Sequence, residues 1–235
     1  MKGLKRAPQQ IARMVRELPL LLTGKGLRFL LLPCFLVWGV VQPISLQHRA
    51  EIHQQARAEV RTEQRLRVLS FIESRNPRID RLEKQYLVDT IMTEAERLQF
   101  PVEFEIDGSG IESVYFLTAL ISVESTFQRK VVSSADARGY MQLMPATVAW
   151  MDERLVTRTH TARLFETDTN IKRGVTYLNM LAMKMDDIRT VCLAYNAGPG
   201  NVRRGFWVEE YWLKVLAAYR EIQKGAFLTH GSSFI

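Results

Sequence analysis

Cysteine is nearly absent from this chain of 235 residues: Cys34 sits in an apolar run and Cys192 in a helical pattern, so no disulfide framework is expected. Histidine is scarce as well, four residues with none at metal-ligand spacing, and no metal or cofactor is expected. Internal repeats and low-complexity segments are lacking. Strand-like alternation is confined to Val102, Phe104 and Ile106, three positions that are too few to make a sheet. Finally, most of the chain lacks a basic face. Residues 1–28 carry seven Lys and Arg against Glu17 alone, so nearly all of the formal charge of +7 lies there. The remainder is close to neutral, which argues against a nucleic-acid partner.

What is there begins with Phe29 to Val41, an uninterrupted apolar run that continues weakly to Leu46. Residues 27–46 match the length of a helix that crosses a hydrocarbon core. The basic residues before it predict residues 1–26 as a cytoplasmic segment and everything after 46 on the far side of a bacterial inner membrane, in the periplasm. A cleaved signal peptide competes with this anchor, but no small-x-small site follows the run. A lipoprotein through Cys34 competes too, although Leu-Leu-Pro before it lacks the small residues that processing favours. Residues 47–77 are charged, with Ile52, Ala56, Val60, Leu69 and Ile72 as a thin apolar stripe. They read as a solvated helical stalk, or as a coiled coil with irregular heptads. Asn76-Pro77 breaks that pattern and starts the predicted globular domain, residues 78–225, before a tail at 226–235.

Within the domain the patterns are helical. Ile79 to Leu98 predicts one helix. Ser109 to Glu112 fits a capping box that opens a helix to about Phe127. Pro145 suits the first turn of another. Ile171, Val175, Leu178, Leu181 and Met185 mark a further helix, with Asp168 where an N-cap belongs. Val208, Tyr211, Trp212, Val215, Tyr219 and Ile222 mark the last. The fold class is all-α.

One helix is apolar on nearly every side, from Val114 to Val123, and ends in Glu124. A carboxyl against an apolar face is costly to ionise and holds its proton to higher pH. An exposed glutamate at a helix end is the bland alternative. Beyond it come Glu124-Ser125-Thr-Phe127, then Ser133 to Thr147 with Gly139-Tyr-Met-Gln142, then Leu193-Ala-Tyr195-Asn196-Ala-Gly198-Pro-Gly200. In this order and spacing, these blocks resemble the soluble lytic transglycosylase family, whose domain is a helical relative of goose-type lysozyme. Asn170-Ile171, Gly174 and Tyr177-Leu178 match its intervening helix, and the resemblance covers about residues 111–222. It implies a peptidoglycan-cleaving enzyme without metal or cofactor, with Glu124 as catalytic acid and base. By position, Ser133 matches the serine that binds near the N-acetylmuramic acid reaction centre, Gln142 and Met144 residues lining the saccharide groove, Tyr195 the tyrosine supporting the glutamate, and Asn196 a turn-shaping member of the same motif. Gly174 is expected to allow close helix packing, and Ser125 either lines the pocket or bonds its local backbone. Tyr140 replaces the family's usual leucine and either lines the groove or packs. Gln128-Arg129 and Cys192 depart from the family pattern without touching the chemistry.

Such an enzyme cuts the bond between N-acetylmuramic acid and N-acetylglucosamine and leaves a 1,6-anhydro end. Two rivals remain at this point. A goose-type muramidase would need a second acid, for which Asp136, Glu166 and Asp168 are the candidates. A non-catalytic glycan-binding scaffold would need none. The anchor also raises a secretion or cell-wall synthesis machine of the envelope as a partner.

Overall fold

The computed structural model describes residues 26–225, with side chains from His48 onward. The expected cytoplasmic segment, the C-terminal tail and the side chains of the expected anchor at 27–46 fall outside the described residues. Among the described residues, no helix is long and apolar enough to cross a membrane.

Helix α1, Gly26–Arg75, is followed by α2, Arg81–Ala95, and α3, Ser113–Ser125. Then come α4, Pro145–Leu155, a 3₁₀ turn at Thr161–Phe165, and α5, Thr167–Ala182. The last are α6, Ile188–Ala197, a short α7, Pro199–Arg203, and α8, Glu209–Lys224. A two-stranded hairpin, β1 Glu105–Ile106 with β2 Ser109–Gly110, precedes α3.

The chain divides into two units between Val60 and Arg61. Residues 48–63 are exposed throughout, with Ile52 and Val60 about half exposed. The stalk expected to reach residue 77 ends sooner. Val68, Phe71 and Ile72 are fully buried core residues, so the last turns of α1 belong to the globular unit. Their apolar spacing was visible, but charged neighbours such as Arg65 and Arg75 masked it. Those arginines pair with Asp89 and Glu221 of the same unit.

Helix α3 is the centre of this unit. Residues Val114 to Ile121 are all buried, because α8 and α2 cover it. A helix apolar all round is stable only where neighbours enclose it. Thr118, fully buried in it, donates its hydroxyl to the Val114 carbonyl at 2.7 Å. The expected capping box does not form: Ser109-Gly110 are strand, and Glu112 is an N-cap without a side-chain bond. Asp107 and Gly108 both take positive φ, 56° and 73°, and make the tight hairpin turn that an Asp-Gly pair favours. Arg220 fixes that turn by forking onto the Asp107 carboxylate, with Nε 2.7 Å from Oδ2. Asp168 is not the N-cap of α5 either; Glu166 holds that position, one residue before Thr167. Pro145 does open α4, and α2 is capped by Asp80, whose carboxylate accepts from the Leu82 and Glu83 amides.

Candidate active site

Glu124 is the penultimate residue of α3, and the chain leaves the helix abruptly after it. Thr126 and Phe127 both adopt left-handed backbone, at φ 49° and 57°. Two successive non-glycine residues there cost on the order of 1–3 kcal/mol each, so something must hold them. Phe127 is buried and meets Phe71 edge to face, with ring centroids 6.1 Å apart. Asn76 donates its side-chain amide to the Phe127 carbonyl at 3.0 Å. The end of α1 therefore buttresses the turn that carries the glutamate.

The Glu124 residue keeps part of its surface accessible while its carboxyl group lies deep. Burial pushes that carboxyl up to about 7, against a smaller downward pull from a hydrogen bond to Tyr211. The Tyr211 hydroxyl donates to Oε1 at 2.5 Å. Burial, and next the Glu124 charge, raise the Tyr211, Tyr195 and Cys192 side chains well above their ordinary values. All three enclose the carboxyl as neutral groups.

The loop at 131–143 is built by its own polar side chains. Ser133 Oγ accepts from the amides of Ala135 and Ala137, at 3.2 and 3.0 Å. Gln142, at φ 45°, donates its side-chain amide to the Gly139 and Val131 carbonyls, at 2.9 and 3.2 Å. Asn170 of α5, fully buried, accepts from the Met141 amide at 2.7 Å and donates to the Arg138 and Leu164 carbonyls at 2.8 Å. Tyr195 donates to the Met141 carbonyl at 2.8 Å. Met141 is thus clamped at both backbone polar groups, and its sulfur lies where any side chain on Gly174 would go. Gly139 combines φ 76° with a Cβ position blocked by Leu164 and Asn170, so only glycine fits.

Some expected roles shift accordingly. The Tyr195 hydroxyl pins the loop; Tyr211 is the tyrosine that bonds the glutamate. Periodicity places Tyr211 on an apolar helix face and carries no sign of what its hydroxyl meets. Tyr140 packs, fully buried, and donates to Glu83 at 2.7 Å. Ser125 bonds the Ile121 carbonyl at 3.1 Å, the local backbone alternative. Met144 is the partly buried N-cap of α4, and Asn196 is exposed near the end of α6. Among the described residues, no hydrogen bond joins Ser133, Gln142, Met144 or Asn196 to Glu124. Cys192 is a buried free thiol.

The contact with Tyr211 makes a measurable claim. A hydrogen bond to the carboxylate favours its charged form, so removing it raises the Glu124 pKa further. Tyr211→Phe is expected to move the titration midpoint of the Glu124 carboxyl, followed by NMR, upward from its place near pH 7. An unmoved midpoint would show that this hydroxyl does not govern the carboxyl.

Comparison with known proteins matches residues 107–212 to the family model of the transglycosylase SLT domain. The soluble lytic murein transglycosylase of Salmonella typhimurium is 34% identical over 109 residues, 41% of this chain and 15% of the relative. That of Escherichia coli K12 is 33% identical over 109 residues, with the same coverage. The chain thus spans only about 15% of the length of these relatives. Among solved structures, an inactive mutant of lytic transglycosylase Slt from Pseudomonas aeruginosa aligns with 59% of this chain and 22% of its own, at TM-score 0.42 and 25% identity. The 70 kDa soluble lytic transglycosylase of Escherichia coli aligns with 59% and 25%, at TM-score 0.46 and 23% identity.

Proposed function

We propose, from the premise that residues 107–212 belong to the transglycosylase SLT domain family, that this chain is a peptidoglycan lytic transglycosylase with Glu124 as its single acid and base. The observation that carries this reading is the state of the Glu124 carboxyl. Pushed up to about 7, it is half protonated near neutral pH and can both give and take a proton there.

In the first step the protonated carboxyl donates to the glycosidic oxygen between N-acetylmuramic acid and N-acetylglucosamine as an oxocarbenium-like centre forms. The carboxylate then removes the proton from the muramoyl C6 hydroxyl, whose oxygen attacks C1 of the same sugar. The new C–O bond closes a 1,6-anhydro ring, and the proton returns to Glu124. Tyr211 supports both steps by donating to the carboxylate, steadying the charge that forms when the proton leaves. Because the sugar supplies the nucleophile, no second carboxylate is needed.

The arrangement of the other acids favours this over hydrolysis. Asp136 is forked by Arg138 at 2.8 and 3.0 Å, and Glu166 accepts from Arg163 and Thr169 at 2.9 and 3.0 Å. Asp168, with Glu166, lines a groove shared with Asp80, Glu83 and Arg129, and Glu124 is not among its lining residues. Mass spectrometry of the fragments released from purified walls tests the choice. Transglycosylation gives muramoyl ends one water lighter than hydrolysis does; fragments bearing only the heavier ends would overturn the reading. No release by the intact protein would favour the glycan-binding scaffold.

The basic segment and apolar run at 27–46 support a further part of the proposal: an inner-membrane anchor with the catalytic domain in the periplasm. That topology would confine cutting to a shell near the membrane, where an envelope secretion or cell-wall synthesis machine is a fitting partner.

A further inference from the structure

The connection from α7 to α8 displays two consecutive aromatic residues that the core does not take. Phe206 is 68% exposed and Trp207 41%. Exposure alone would be unremarked in a loop, but this indole is held in place. The Glu209 carboxylate lies near it, and the Trp207 side chain favours its charged form. The same carboxylate is gripped by Arg189, whose Nε lies 2.7 Å from Oε1. The Arg189 guanidinium in turn lies over the indole ring, 6.0 Å from its centroid. Arg189 takes one face of Trp207, and the accessible surface is what remains.

The loop beneath is stapled as well. Asn201 donates its side-chain amide to the Ala197 carbonyl at 2.7 Å, accepts from Arg204 at 2.6 Å, and accepts the Phe206 amide at its own carbonyl at 3.0 Å. Gly205, at φ 83°, turns the chain between them. An aromatic ring fixed before a ligand arrives loses little freedom when one binds. Trp207 stands four positions before Tyr211, so their Cα atoms lie within roughly 14 Å. Tyr211 is the residue whose hydroxyl touches Glu124. The platform thus sits just ahead of the helix that carries the tyrosine bonding the reactive carboxyl.

Two surfaces compete for such a ring, a lipid and a sugar. Sinking Trp207 into lipid would drag the Arg189–Glu209 pair out of water, at a cost its Coulomb energy does not recover. A sugar suits the charged frame better. Its C–H face packs on the indole while its hydroxyls and acetamido group bond the polar rim. We infer that Trp207, with Phe206 beside it, is a stacking platform for an N-acetylated sugar ring of the glycan strand next to the bond that Glu124 cleaves. The inference rests on the function proposed above.

The test uses the full chain carrying Glu124→Gln, so that ligand persists, titrated with a β-1,4 pentasaccharide of N-acetylglucosamine. Adding Trp207→Ala is expected to raise Kd about tenfold, the scale of one aromatic contact, and Trp207→Phe to raise it less. In the chain with Glu124 intact, Trp207→Ala should raise KM on wall fragments more than it lowers kcat, with an unchanged thermal midpoint. Equal pentasaccharide affinity with and without Trp207 would overturn the platform. If the parent neither binds the pentasaccharide nor cuts walls, the proposed function falls and takes the platform with it. A parent that does both beside an unaffected Trp207→Ala variant sinks the platform alone.

Discussion

Glu124→Gln is expected to lower turnover on purified cell walls by about 10³-fold or more, the range spanned by loss of a general acid and base. The amide matches the carboxyl in shape, and its oxygen can still accept the Tyr211 hydroxyl that now lies 2.5 Å from Oε1. The fold and the proposed glycan binding should therefore survive, which separates lost chemistry from lost structure. A second readout follows from linkage. The Glu124 pKa is raised in the folded chain from 4.5 to about 7, so the native state holds this proton over a range where the unfolded chain has released it. Its contribution to stability is fully present below about pH 4.5 and is lost as pH rises through 7. Glutamine has no such dependence. The variant's thermal midpoint, relative to the parent's, should accordingly rise between pH 5 and pH 8. Parent-like cutting by Glu124→Gln would remove the glutamate from the mechanism, and a midpoint difference that ignores pH would deny its burial.

A truncation series has the other large expected effect. A chain starting at residue 61 should fold and bind glycan, whereas one starting at residue 78 should be unfolded or nearly so. Val68, Phe71 and Ile72 are fully buried, and each contributes about 1.5–3 kcal/mol. Their combined loss is comparable to the roughly 5–15 kcal/mol that holds a typical domain together. Asn76 goes with them, releasing the Phe127 carbonyl and with it the strained turn after Glu124. The exposed ion pairs made by Arg61, Arg65 and Arg75 add little to this balance. Circular dichroism and thermal unfolding decide it. A cooperative transition at the parent's temperature in the shorter chain would refute the assignment of these turns to the core. The same chains address the anchor: the full chain should sediment with membranes, and the chain from residue 61 should not.

Much of the domain was legible from periodicity, because an amphipathic helix announces its buried stripe. Ile171, Val175, Leu178 and Leu181 on α5, and Tyr211 to Ile222 on α8, are buried as their spacing requires. Glu124 stood out for a similar reason: a carboxylate closing an otherwise apolar helix needs an explanation. Caps and turns were less legible, since they depend on backbone geometry that several sequences share. Ser109-Gly110 satisfied a capping pattern yet became strand, because Asp107-Gly108 makes the tighter turn.

The sequence by itself determined an all-helical core, a central apolar helix and one carboxyl in a setting that disfavours its charge. These are consequences of local spacing and of the cost of burying charge. Only the tertiary structure decided that Tyr211 bonds that carboxyl while Tyr195 grips the loop, that Asn170 clamps Met141, and that the end of α1 belongs to the core. Each of these joins residues distant along the chain, and which hydroxyl meets which oxygen is fixed by how the helices cross.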